Sequence, residues 1–141
     1  MQQPQRDPDC GPAVGCGQCE IMYHGGAEVQ KVRVGIVGAG FMAQAAHIHC
    51  FQLAEGCEVV ALASSRPSLR EQVAARFRIP RQYDSWASMA RDPDIDAAVV
   101  LLPPEFNPDV VCSLLEAGKH VFAEKPMALS WKSAQRMAQT A

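Results

Sequence analysis

No charge of one sign dominates this chain. Thirteen basic residues face fifteen acidic ones, a net charge of −2. That balance excludes a strongly basic nucleic-acid binder and leaves no polybasic anchor for a membrane surface. Long apolar runs are missing as well, and no stretch approaches the roughly 20 apolar residues that span a bilayer. The opening MQQPQRDPDCGPAVGCGQCE lacks the apolar stretch of a secretory signal, so a cytoplasmic location is expected. Length is the third shortage: 141 residues make one domain, too few for an enzyme that needs separate cofactor and substrate domains. Paired metal-binding cysteines are also lacking. Cys10, Cys16 and Cys19 gather near His24, but a single C-x-x-C pair with no second pair is no zinc framework, and no metal is expected. Cys50, Cys57 and Cys112 fall inside apolar segments, where reduced thiols are commonly buried.

What the chain does hold is a globular composition, 48% apolar and 20% charged. Residues 1–30 are rich in proline and glycine and show no sustained period, so they are expected to form a flexible leader; a later start at Met22 is the alternative. From Lys31 onward, strands and helices alternate. Val32–Val37 is a β-branched run ending at Gly38, and Phe41–Ala54 is an Ala-rich helical stretch stopped near Gly56. Glu58–Ser64 is a second strand, and Pro67 opens a helix to Phe77. Asp84 is the expected cap of a short helix over 85–91. Ala97–Leu102 is a fully apolar strand. Asn107 starts a helix that Gly118 closes, His120–Ala123 is a further strand, and Ser130 caps a last helix. This alternation predicts an α/β domain over 31–141, a doubly wound parallel sheet with helices on both faces.

The junction after the first strand is Gly38-Ala39-Gly40-Phe41-Met42-Ala43, a G-x-G-x-x-A pattern. Gly38 permits a tight turn, Gly40 lets the backbone approach a pyrophosphate, and Ala43 lets the helix pack closely on the strand. The helix start, with Phe41 and Met42, offers N–H groups and a partial positive charge to an anion. A second strand follows about 20 residues on, the context of a dinucleotide-binding (Rossmann) domain. A purely structural turn and a methyltransferase-like nucleotide site are the alternatives. NAD-selective sites place an acid at the end of the second strand. This chain has Ser64, Ser65 and Arg66 there, and Glu58 lies at the wrong end. Two hydroxyls and a guanidinium suit a 2′-phosphate, so NADP is the expected cofactor, with NAD the alternative.

Further on, the segment from Glu116 to Pro126, EAGKHVFAEKP, follows the fourth long helix. Together with VRVGIVGAG at the first strand, it resembles the Gfo/Idh/MocA family of oxidoreductases, and the resemblance covers nearly all of Lys31–Ala141. It implies a pyridine-nucleotide oxidoreductase acting on sugars, polyols or similar small hydroxyl compounds. It also implies that Lys125 lies beside nicotinamide and substrate and aids catalysis, with Glu124 and Pro126 shaping the same turn. Three departures stand out. Leu102 with Pro103 and Pro104 replaces the family's Thr-Pro pair, removing a hydroxyl contact to the cofactor. Asn107 stands where a histidine commonly opens the next helix. The family's second domain, with the substrate pocket and catalytic aspartate and histidine, exceeds this length. A small-molecule substrate is therefore expected only if a second domain completes the chain. The expected function is the cofactor domain of a hydride-transfer enzyme; the alternative is a non-enzymatic dinucleotide-binding module, acting as sensor or partner-binding protein. An open sheet edge beside His120–Ala123 makes a homo-oligomer a further expectation. His47 and His49, two apart on one helix, and His120, at a strand start, are taken as structural or surface residues.

Overall fold

Five short apolar segments pair into one sheet in the computed structural model, which describes residues 30–141. The expected leader, with its cysteines, His24 and Met22, lies outside the described residues except for Gln30. The strands are β1 (Val32–Val37), β2 (Cys57–Ala63), β3 (Arg81–Tyr83), β4 (Ala97–Val100) and β5 (His120–Ala123). All pair in parallel, in the order β3-β2-β1-β4-β5. The helices are α1 (Ile48–Leu53), α2 (Pro67–Phe77), α3 (Trp86–Ala90), α4 (Asn107–Glu116) and α5 (Trp131–Thr140). A π-helical segment, Ala43–His47, leads directly into α1. Doubly wound topology follows from crossing out of β1 to one side and out of β3 to the other.

Alternate residues of the strands feed two cores, one per face. Val34, Ile36, Val59, Leu62 and Val99 pack with Ala43, Ile48, Val73 and Ala74 from the α1 and α2 side. Val37, Val60, Ala61, Ala63, Ala98 and Val100 pack with Met89, Val110, Leu114 and Met137 from the α3, α4 and α5 side. A bulge after Val34 shifts the β1–β2 register, so that Val34 pairs with Val59 but Gly35 with Ala61. Full burial of each large aliphatic side chain in such a core contributes about 1.5–3 kcal/mol. Among the described residues, no helix is long and apolar enough to cross a membrane.

Several element ends depart from the sequence reading. Ser85, not Asp84, caps α3: its Oγ accepts from the Ser88 N–H at 3.2 Å, while Asp84 takes the Ser88 hydroxyl. An extended φ of −138° lets Ser85 aim its short hydroxyl back at the first turn. Phe106 occupies the cap position of α4, and Asn107 is its first residue, 1% exposed. β4 ends at Val100, because the chain leaves the sheet at Leu101 after a last bond from its N–H to the Val37 carbonyl. β3, only Arg-Gln-Tyr, carries no apolar alternation to announce it.

The amino ends of the strands are held by charge. Arg33 at the start of β1 donates from Nε and Nη2 to Asp96, just before β4, at 3.0 and 2.8 Å, and from Nη1 to Asp94 at 2.9 Å. The Arg33 backbone N–H adds a bond to the same Asp96 carboxylate at 2.8 Å. Arg81 at the start of β3 bonds Asp92 and Asp94, and Lys119 before β5 donates to the carbonyls of Asp92 and Ile95. The Arg33 guanidinium and backbone N–H hold the Asp96 carboxyl down at about 2, against the cost of partial burial. Tyr83 and the Asp94 backbone N–H lower Asp92 in the same way. A carboxyl depressed in the folded state stabilises the fold above its unfolded value near 4 and loses that contribution as pH falls towards 2. Urea unfolding between pH 5 and 2 should therefore show a steep loss of midpoint for the native chain, and a shallower one for Asp96→Asn, which starts lower at pH 5. Parallel pH profiles would contradict this assignment.

Candidate cofactor site

Because every strand runs the same way, all five carboxyl ends open on one edge of the sheet. β1 leaves the sheet at Gly38, whose N–H still bonds the Ala63 carbonyl at 2.9 Å. Gly38 has φ +104°, and a Cβ there would lie 2.6 Å from the Leu101 carbonyl oxygen. Only glycine fits a left-handed turn this close to a neighbouring chain. At Gly40 the situation is reversed: a Cβ would meet nothing within 4 Å. Empty space on that side of the backbone is what a bound pyrophosphate needs. The chain is helical from Phe41, so the first-turn N–H groups lack intrahelical acceptors and face the turn. Ala43 is fully buried in the core beneath, where its small methyl group packs between helix and sheet. Phe41 and Met42 are exposed, and Gln44 ties the turn by donating from Nε2 to the Ala39 carbonyl at 3.0 Å.

A cleft of about 740 Å³ spreads from this turn across the ends of β1, β2 and β4. Gly38, Gly40, Ser64, Ser65, Arg66, Leu102 and Pro103 all line it. Arg66 is exposed, and among the described residues its guanidinium engages no acceptor, which leaves its charge available to a ligand. Ser64 is anchored on three sides: its N–H bonds the Tyr83 carbonyl, its carbonyl accepts from Arg70 Nη1 at 2.8 Å, and its hydroxyl accepts from the Arg66 N–H. Asp84, Trp86 and Phe106 close the far side of the cleft. The sequence reading overlooked these three and Arg70, which lies in the first turn of α2, four residues after the cap residue Arg66.

The remaining predicted residues do not line this cleft. The Glu124 N–H bonds the Val100 carbonyl at 3.1 Å, which seats the Glu124-Lys125-Pro126 turn at the same carboxyl edge. Lys125 is exposed, and the Lys125–Pro126 bond is cis. Asn107 sits behind this turn, its Nδ2 approaching the Pro126 carbonyl at 3.5 Å and its Oδ1 buried without a partner. Glu124 is held below the ordinary carboxylate range chiefly by a hydrogen bond from His47. His47 Nε2 donates to Glu124 Oε2 at 2.6 Å, so of the two readings, structural or surface, His47 takes the structural one at this edge.

A parallel sheet in this order with a G-x-G-x-x-A turn at the end of β1 defines a dinucleotide-binding domain of the Rossmann class. The chain matches the Gfo/Idh/MocA oxidoreductase family, NAD-binding Rossmann fold, over residues 32–141, and it belongs to that family. It is 39% identical over 106 residues to an uncharacterized oxidoreductase, ORF334, of Rhizobium meliloti, covering 75% of this chain and 32% of the relative. It is 35% identical over 99 residues to inositol 2-dehydrogenase of Acidothermus cellulolyticus, covering 70% of this chain and 29% of that one. In structure it resembles a 3-ketoreductase from Actinomadura kijaniata in complex with NADP and TDP-benzene, with TM-score 0.75, 29% identity, and coverage of 79% of this chain and 34% of that one. The chain thus spans about a third of the length of these relatives.

The two glycines of the turn should respond oppositely to a methyl group. Gly38→Ala should lower stability by about 1–3 kcal/mol through backbone strain and the clash at Leu101. Gly40→Ala should stay within about 0.5 kcal/mol of the native chain. Urea unfolding of both variants checks this; equal losses would mean that the turn is built differently.

Proposed function

We propose that this chain is the cofactor-binding part of an oxidoreductase that moves hydride between NADP and a hydroxyl-bearing carbon of a sugar, polyol or related small compound. This reading rests on one juxtaposition: an open glycine turn at a helix start shares a cleft with Ser64, Ser65 and the exposed Arg66. In it, the N–H groups after Gly40, at Phe41 and Met42, hold the pyrophosphate. Ser65 and Arg66 take a 2′-phosphate, Arg66 as a fork of donors. Leu102 and Pro103 form an apolar wall, and Asn107 backs the Glu124-Lys125-Pro126 turn. The bound nicotinamide supplies hydride acceptance and donation. Lys125 would hydrogen-bond the substrate oxygen and stabilise the negative charge that develops there as the hydroxyl proton passes to a base supplied from beyond this domain. The sugar or polyol class is supported by relatives named as an inositol dehydrogenase and a 3-ketoreductase. The substrate pocket needs surface beyond this domain, and pairing of subunits along the open β5 edge is a further part of this proposal.

A second reading, preference for NAD, rests on Asp84, a carboxylate lining the same cleft that can accept from a ribose hydroxyl. The two readings separate cleanly. Under the first, the chain binds NADPH more tightly than NADH, and Arg66→Ala weakens NADPH by about 1.5–3 kcal/mol with little effect on NADH. Nicotinamide fluorescence titration measures both. Tighter NADH binding that Asp84→Asn abolishes would establish the second reading in its place.

A further inference from the structure

Glu124 has both carboxylate oxygens committed. Oε1 accepts from the Lys125 backbone N–H at 3.1 Å, and Oε2 accepts from His47 Nε2 at 2.6 Å. An ionised carboxylate offers only acceptors, so Nε2 carries the proton in this bond. The two residues lie 77 positions apart, and their side chains are only 15% and 22% exposed. His47 is also the last residue of the π-helical segment Ala43–His47, a wider turn of a kind that is frequent at functional sites. Its ring is braced from below by Phe122 of β5, with centroids 5.8 Å apart, and Phe122 is in turn met edge-on by Phe51. One imidazole therefore joins the helix that starts at the glycine turn to the turn that carries Lys125.

We propose that His47 is a positioning residue for the Glu124-Lys125-Pro126 turn, fixing the Glu124 carboxylate so that it fixes Lys125 against the nicotinamide half of the bound cofactor. This inference rests on the cofactor reading above. A simple brace between helix and sheet would affect both halves of the dinucleotide site alike. A positioning residue acts on the nicotinamide half alone, because the adenosine half is bound by Ser64, Ser65 and Arg66 on the other side of β1.

The test compares NADPH with 2′,5′-ADP, which carries only the adenosine half. His47→Ala should weaken NADPH about tenfold, as expected for loss of a hydrogen bond to a charged group, and leave 2′,5′-ADP within about twofold. His47→Gln, which restores an N–H donor, should recover most of the NADPH affinity. Combining His47→Ala with Glu124→Ala should cost no more than Glu124→Ala alone, since both break the same bond. If His47→Ala unfolds, Glu124→Ala gives the same contrast between the two ligands. Equal weakening of both ligands, additive losses in the double variant, or no loss at all would overturn the positioning role while leaving the cofactor reading intact. A native chain that binds neither ligand overturns both.

Discussion

The turn at Gly38 is the constraint on which the rest of the carboxyl edge depends. β1 and β4 are neighbours, and the exits of both strands must pass each other where the Leu101 carbonyl nearly touches Gly38. A residue with a side chain would push them apart, and the helix from Phe41 would no longer start over the sheet. Because glycine lets them close, Ala43 reaches the core, the helix starts beside the cleft that Gly38 and Gly40 line, and His47 arrives one helical segment later beside Glu124. Packing at one buried α-carbon thus sets the geometry of both halves of the proposed site.

Charge is divided between the two edges of the sheet. At the amino edge, Arg33, Arg81 and Lys119 are consumed by Asp92, Asp94, Asp96 and backbone carbonyls, so that β1, β3, β4 and β5 are pinned where they begin. Most of these pairs are partly exposed, and each alone is worth little; their value lies in forming one network over several strands. At the carboxyl edge, Arg66 has no such partner among the described residues, and Lys125 is exposed. Arg33 and Arg81 are thus tied to carboxylates at the amino edge, whereas Arg66 lines the cleft at the carboxyl edge.

Most of the fold was visible in the residues themselves. A β-branched run marked β1 and an unbroken apolar run marked β4, and Pro67 with Phe77 bounded α2 closely. Ser130 was identified as the cap of α5, where its hydroxyl accepts from the Ser133 N–H. β3 escaped because three polar residues have no period, and its strand character comes from pairing with β2. Ser85 and Asp84 are adjacent and equally good caps by type, so only backbone φ separates them. At the candidate site, local spacing pointed to Gly38, Gly40 and Ala43 and to the Ser64–Arg66 run after β2, and the structure brings the two glycines and that run to one cleft. The His47–Glu124 pair was hidden because it joins distant segments through a π-helical turn, which shifts the facing of a helix without a signature in composition. Asp84 and Trp86 entered the cleft only because β3 brings them beside β2.

The central claim is that the carboxyl edge of the sheet, organised by Gly38 and Gly40, holds a dinucleotide. Amide shifts of the ¹⁵N-labelled chain during titration with NADP⁺ test it most directly. The account predicts saturable shifts that are largest at Gly38–Met42 and Ser64–Arg66, reach Glu124 and Lys125, and spare the amino edge around Arg33 and Asp96. Shifts centred on the amino edge, or none at millimolar NADP⁺, would contradict it.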